Sequence, residues 1–164
     1  MAVILIIMIA LLVGADQLVK YWCVNELKPV GTMDFIHIGS FKVFDLTYLE
    51  NRGAIFGSMA GQRWFLIGFT SVVIVAGLVA MLLTVKKSKY ISFTLGLFTA
   101  GGIGNLIDRA RLGYVVDMFE LKLFRFAIFN VADICVTVAF VLAIIYFLMD
   151  AKKDREKKKA ESNE

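Results

Sequence analysis

The chain has 164 residues, 59% of them hydrophobic and 20% charged, and a mean hydropathy of +0.76, far above what a soluble domain of roughly 45–50% apolar content shows. These values exclude a disordered, collagen-like or disulfide-framed soluble chain and indicate one integral membrane domain. The formal charge of +4 is concentrated in two short segments, so it reads as a topology signal and not as a nucleic-acid surface.

Four apolar runs, about residues 3–24, 64–85, 90–107 and 126–149, are each long enough to cross hydrocarbon as a helix. The first ends in small residues at Val13-Gly14-Ala15, as a secretory cleavage site would. No basic residue precedes it, however, and the apolar pattern continues through Leu18, Val19, Tyr21 and Trp22, which makes it a span. Asp16 and Lys20 lie four apart on one helical face late in that span, where a self-neutralising ion pair and a part in a site both remain open.

The connection 25–63 interleaves Phe35, Ile36, Ile38, Phe41, Val43 and Phe44 with polar residues, a texture that suits short strands at the outer membrane surface. It contains His37, the single histidine, and the string Asn51-Arg52-Gly53-Ala54, which reads as a turn or as a point of close chain approach. Cys23 and Cys135 sit inside apolar runs without metal spacing, so neither a metal site nor a cofactor is expected. Trp22 and Trp64 read as interface anchors. Between the second and third spans stand Lys86, Lys87 and Lys89, and the tail 151–164 is rich in Lys and Arg. Cationic flanks stay cytoplasmic, which puts both termini inside and the two long connections outside.

Gly101, Gly102 and Gly104 permit close helix packing in the third span, which closes on Asn105, Asp108 and Arg109. Asp108 can pair with Arg109 or Lys20 as readily as it can take part in chemistry. Val115-Val116-Asp117-Met118-Phe119 follows, an apolar stretch with one carboxylate. Phe129-Asn130-Val131-Ala132-Asp133 sets Asp133 about 10 Å inside the fourth span, with no Lys or Arg one helical turn away. Asp133 needs a partner from another segment, and Asp117 is one candidate. Two carboxylates in a dehydrated site share a proton, giving a general base beside a general acid and peptide hydrolysis without a covalent intermediate. The competing structural reading pairs Asp117 with Arg109 or Arg111 and leaves Asp133 as an interhelical acceptor. Serine schemes through His37 or Lys20 fit less well, since no Ser stands in a strained Gly-x-Ser-x-Gly setting.

Taken together, Asp16-Gln17-x-x-Lys20, Asn51-x-Gly53-Ala54, Gly104-Asn105-x-x-Asp108-Arg109, Val115-Val116-Asp117 and Phe129-Asn130-x-Ala132-Asp133 resemble the blocks of the lipoprotein signal peptidases, or signal peptidase II, in that family's order. The resemblance covers about residues 16–136. It implies an aspartyl protease of the bacterial inner membrane with Asp117 and Asp133 as catalytic dyad. Asp16, Lys20, Asn51, Gly53, Asn105, Asp108, Arg109 and Asn130 would be supporting or substrate-binding positions. It also implies a mainly α membrane protein: four transmembrane helices, a small β cradle and a short extracytoplasmic helix from the outer connections. The substrate would be a diacylglyceryl-modified prolipoprotein cut before its lipidated Cys near the outer face, by a monomer that meets membrane lipid and no nucleic acid. Residues 1–150 would form the protease domain and 151–164 a solvated, fraying cytoplasmic tail. Ile55 and Met118 depart from the family's common Ala and Phe. Two other classes are a proton- or ion-coupled transporter, which calls for carboxylates across the membrane depth, and a structural tetraspan protein assembling through the glycines. The crowding of Asp16, Asp108, Asp117 and Asp133 toward one side favours a site.

Overall fold

The computed structural model describes residues 1–53 and 58–161. Its helices α1 (Ala2–Trp22), α2 (Arg63–Thr84), α3 (Lys89–Arg111) and α4 (Val131–Glu161) carry the four apolar runs. All four are long and apolar enough to cross a membrane. On α1 the usual pattern of burial is inverted: Ile4, Ile7, Leu11 and Leu18 are exposed, whereas Asp16 and Lys20 are buried. Hydrocarbon accepts the first group and penalises the second, so the polar groups face protein.

Helix α3 packs against the other three. Its mean hydropathy is 1.3, against 2.5–2.6 elsewhere, and it is the most buried span. A helix enclosed by neighbours can hold polar residues that lipid would reject. The glycines make the approach close. A Cβ on Gly101 would strike the Ala132 carbonyl of α4, one on Gly102 would lie 3.0 Å from Ile74 of α2, and one on Gly104 would lie 2.6 Å from the Asp16 carboxylate of α1.

The outer connections form an antiparallel sheet in the order β1 (Thr32–Ile38), β2 (Phe41–Asn51), β3 (Val115–Leu121). Strands β1 and β2 make a hairpin around Gly39-Ser40, with Gly39 at φ +62°. Strand β3, which the sequence reading left without secondary structure, comes from the second connection. A bulge between Leu46 and Leu49 sets Leu49 opposite Asp117 and Asn51 opposite Val115. Leu46, Val116 and Met118 pack on Cys23 and Leu27 at the end of α1, which seats the sheet on the helices. Residues 23–27 form a π-helical turn continuing α1, and among the described residues this is the one short helical piece in the outer connections. Ala54 and Ile55 lie outside the described residues.

Two boundaries differ from expectation. Helix α3 runs on to Arg111, so Asn105, Asp108 and Arg109 share one continuous helix. Helix α4 begins at Val131 and not at 126, because Phe129 exchanges backbone hydrogen bonds with Phe119 of β3, at 2.8 and 3.1 Å. At its far end α4 continues through Glu161, so the tail is helical as far as the described residues reach.

Candidate active site

The N-terminus of α4 is closed by a capping box. Asn130 Oδ1 accepts from the Asp133 backbone N–H at 2.9 Å, and Asp133 Oδ2 accepts from the Asn130 N–H at 3.2 Å. Asp133 is therefore in the first helical turn, at the mouth of the membrane region, and not 10 Å inside a span as the apolar run suggested. There the N–H end of the helix dipole favours a carboxylate. Its other oxygen accepts from Asn105 Nδ2 of α3 at 2.8 Å.

Asp117 projects from β3 and is 1% exposed. Its Oδ1 accepts from Asn130 Nδ2 at 2.6 Å and its Oδ2 from Asn51 Nδ2 at 3.0 Å. Both partners are amides, in place of the Arg109 or Arg111 that the structural reading assigned. Burial, and after it the charge of Asp133, pushes the Asp117 carboxyl up to about 7, against the pull of the two amide hydrogen bonds. Asp117, Asp133, Asn51, Asn105 and Arg109 line one cavity of about 500 Å³, whose remaining wall is largely apolar and includes Val115, Ile128, Phe129 and Val138.

The rim is tied down from two sides. Asn51 Oδ1 accepts from the Gly53 N–H at 3.0 Å, and the Gly53 carbonyl accepts from Arg109 Nη2 at 2.9 Å, which joins the end of β2 to α3. Next to Asn51, Glu50 accepts from Lys28 at 3.0 Å, Arg52 at 3.2 Å and the Tyr48 hydroxyl at 3.1 Å. These contacts, the Lys28 hydrogen bond first, hold the Glu50 carboxyl down at about 2. Arg63, which sequence reading passed over, donates to the Arg109 and Ala110 carbonyls at 2.9 and 2.8 Å. It fastens the head of α2 to the C-terminal turn of α3, adding a side-chain donor to carbonyls at a helix end. A lone Arg at the head of an apolar run was the available signal.

Behind the two aspartates lies a buried ionic cluster. Lys20 Nζ is 2.9 Å from Asp16 and 3.0 Å from Asp108, and donates to Asn105 Oδ1 at 3.0 Å. Asp16 Oδ1 accepts from the Ala132 N–H at 2.9 Å and Asp108 Oδ2 from the Val116 N–H at 3.0 Å. Gln17, which the first sequence block includes without a role of its own, donates to Asp108 Oδ1 at 3.0 Å and to the Gly104 carbonyl at 3.2 Å. All five sequence blocks thus meet at one place. His37 stays apart on the exposed edge strand β1. Among the described residues no group of three or more His, Cys, Asp and Glu is arranged to hold a metal ion.

Residues 8–149 match the family model described as signal peptidase (SPase) II. The chain is 44% identical over 134 residues to the lipoprotein signal peptidase of Streptococcus thermophilus strain CNRZ 1066, a match covering 82% of this chain and 85% of that one. It is 40% identical over 152 residues to the lipoprotein signal peptidase of Clostridioides difficile strain 630, covering 92% and 98%. Its fold superposes on a bacterial membrane enzyme solved by the in meso method at 2.3 Å, with a TM-score of 0.78, 28% identity, and 91% and 90% of the two chains covered.

Proposed function

The chain belongs to the signal peptidase II family, and we propose that it is an aspartyl endopeptidase that cuts diacylglyceryl-modified prolipoproteins just before the lipidated Cys. The observation that carries the dyad is Asn130, which binds Asp117 through its amide at 2.6 Å and Asp133 through its backbone N–H at 3.2 Å. A single capping residue thereby holds two carboxylates at the wall of one cavity.

The pair works with one proton between them. Both carboxylates accept N–H bonds on both oxygens, Asp117 from Asn130 and Asn51 and Asp133 from Asn105 and Asn130, and the shared proton belongs to the pair. The ionised member takes a proton from water as the water oxygen bonds to the scissile carbonyl carbon, while the protonated member donates to the carbonyl oxygen. Collapse of the tetrahedral species breaks the C–N bond and delivers a proton to the departing amine, leaving the free signal peptide and the lipidated N-terminus. The apolar cavity wall suits a substrate whose acyl chains stay in lipid. Arg109 and Asn51 stand at the rim, where an extended peptide lacks backbone partners. Lys86, Lys87, Lys89 and the basic tail support cytoplasmic termini, with the dyad near the outer face.

The test is cleavage of a diacylglyceryl-modified lipobox peptide by purified protein in detergent. Asp117→Asn and Asp133→Asn should each lose about 100- to 10,000-fold in turnover, the range of general acid–base contributions, while unfolding as cooperatively as wild type. Turnover retained by either folded variant removes that aspartate from the dyad.

A further inference from the structure

We infer that Lys20 is a positioning residue of the dyad, which it serves by fixing the orientation of the Asn105 amide and by tying together the two backbone segments that carry Asp117 and Asp133. The inference rests on the aspartyl-dyad reading. Lys20 is 3% exposed, and its ammonium has three hydrogens and no acceptor. The three go to Asp16 Oδ2 at 2.9 Å, Asp108 Oδ2 at 3.0 Å and Asn105 Oδ1 at 3.0 Å. Neutralising a charge in a span needs only the i,i+4 partner Asp16. Lys20 takes two further acceptors, and each of the three leads in one more hydrogen bond to the dyad or to its immediate neighbour.

Asn105 gives the shortest route. Because an ammonium can only donate, the amide must turn its oxygen toward Lys20, which aims its NH₂ at Asp133 Oδ1, 2.8 Å away. Without Lys20, among the described residues only Asn130 Nδ2 still holds that oxygen, at 3.0 Å, and the same NH₂ also serves Asp117 at 2.6 Å and the Val116 carbonyl at 3.4 Å. A reversed amide would set oxygen against the Asp133 carboxylate and drive it out of place. The other routes are mechanical. Asp16 holds the N–H of Ala132 at 2.9 Å and Asp108 holds the N–H of Val116 at 3.0 Å, each residue directly preceding a dyad aspartate. A separate cavity of about 140 Å³, lined by Gln17, Tyr21, Asp108 and Leu112 among others, reaches Lys20 and, among the described residues, shares none with the dyad cavity. A small amine can enter there.

The peptide-cleavage assay tests this with Lys20→Met and Lys20→Ala. Lys20→Met should lose about 100-fold in kcat, the scale of a small misplacement of reacting groups, with KM within about 3-fold of wild type because Lys20 does not touch substrate. Propylammonium, which restores the missing atoms of Lys20→Ala, should raise its kcat saturably. Tetramethylammonium at equal ionic strength, having no N–H, should not. If Lys20→Met leaves orphan buried carboxylates and does not fold, the isosteric neutral variant carrying Asp16→Asn, Lys20→Met and Asp108→Asn takes its place, with the same loss expected. Wild-type kcat in any folded variant lacking Lys20, a loss confined to KM, or rescue by propylammonium of thermal stability without kcat overturns the inference. An inactive wild type, or an active Asp117→Asn, counts instead against the dyad.

Discussion

Asn130 caps α4 with one end of its side chain and binds Asp117 with the other, so the cap fixes both carboxylates. The consequence for Asp117 is measurable. Its carboxyl sits at about 7 in the folded protein, against an ordinary value of 3.8. Between those values the folded protein keeps a proton that the unfolded chain has released, so stability falls as pH rises through that window and the penalty is complete above it. The Tm of wild type in detergent, taken relative to Asp117→Asn, should therefore drop between about pH 5 and about pH 8, by roughly 4 °C or more. Turnover should decline on the alkaline side with an apparent pKa near 7, as the pair loses its shared proton. A Tm difference that stays flat across this range means that Asp117 ionises like an exposed carboxylate.

At the level of elements, α3 is the part to which the rest is fitted. Gly101 faces the first turn of α4, where a Cβ would meet the Ala132 carbonyl and Val136, whereas a Cβ on Gly14 of α1 would have nothing within 4 Å among the described residues. Gly101→Ala should cost about 1–3 kcal/mol as an overpacked contact and lower turnover further, because the displaced turn carries Asp133. Gly14→Ala should be neutral or stabilising by up to about 1 kcal/mol. Thermal unfolding and peptide cleavage in detergent measure both, and equal behaviour of the two variants removes the close approach as a determinant of the site. The α3 glycines and the four spans were legible in sequence because lipid imposes length and apolarity. The start of α4 was not, since Phe126–Phe129 is as apolar as the helix and hydropathy does not distinguish a backbone bridge from a helical turn. Strand β3 was hidden for a related reason. Its residues Val115–Met118 are all buried, so the alternation that marks a half-exposed strand is missing. Asp16, Lys20, Asn105 and Asp108 of the candidate site stood out for the opposite reason, as polar groups in spans that penalise them, whereas Asn51 and Gly53 in the outer connection carried no such signal. The pairing of the site residues was not legible, because it depends on the β2 bulge and on amide orientations that only the assembled fold determines.

For the whole molecule, the chain order sends α1 and α3 toward the sheet and α2 and α4 away from it, so every carboxylate of the site lies at the sheet end while Lys86, Lys87 and Lys89 lie at the other. Charge asymmetry and site position are therefore a single question. If the Lys turn is cytoplasmic, the dyad faces outward, where a lipid-anchored substrate presents its scissile bond after export. Ser40, in the turn of the β1–β2 hairpin, and Lys87, in the Lys turn, are both exposed. The native Cys23 and Cys135 are buried and should contribute little background. In intact cells a membrane-impermeant thiol reagent should label Ser40→Cys and spare Lys87→Cys, and in inside-out vesicles the pattern should invert. The reverse pattern would put the dyad in the cytoplasm, ahead of export, and would remove the prolipoprotein reading even if both aspartates proved essential for cleavage in detergent.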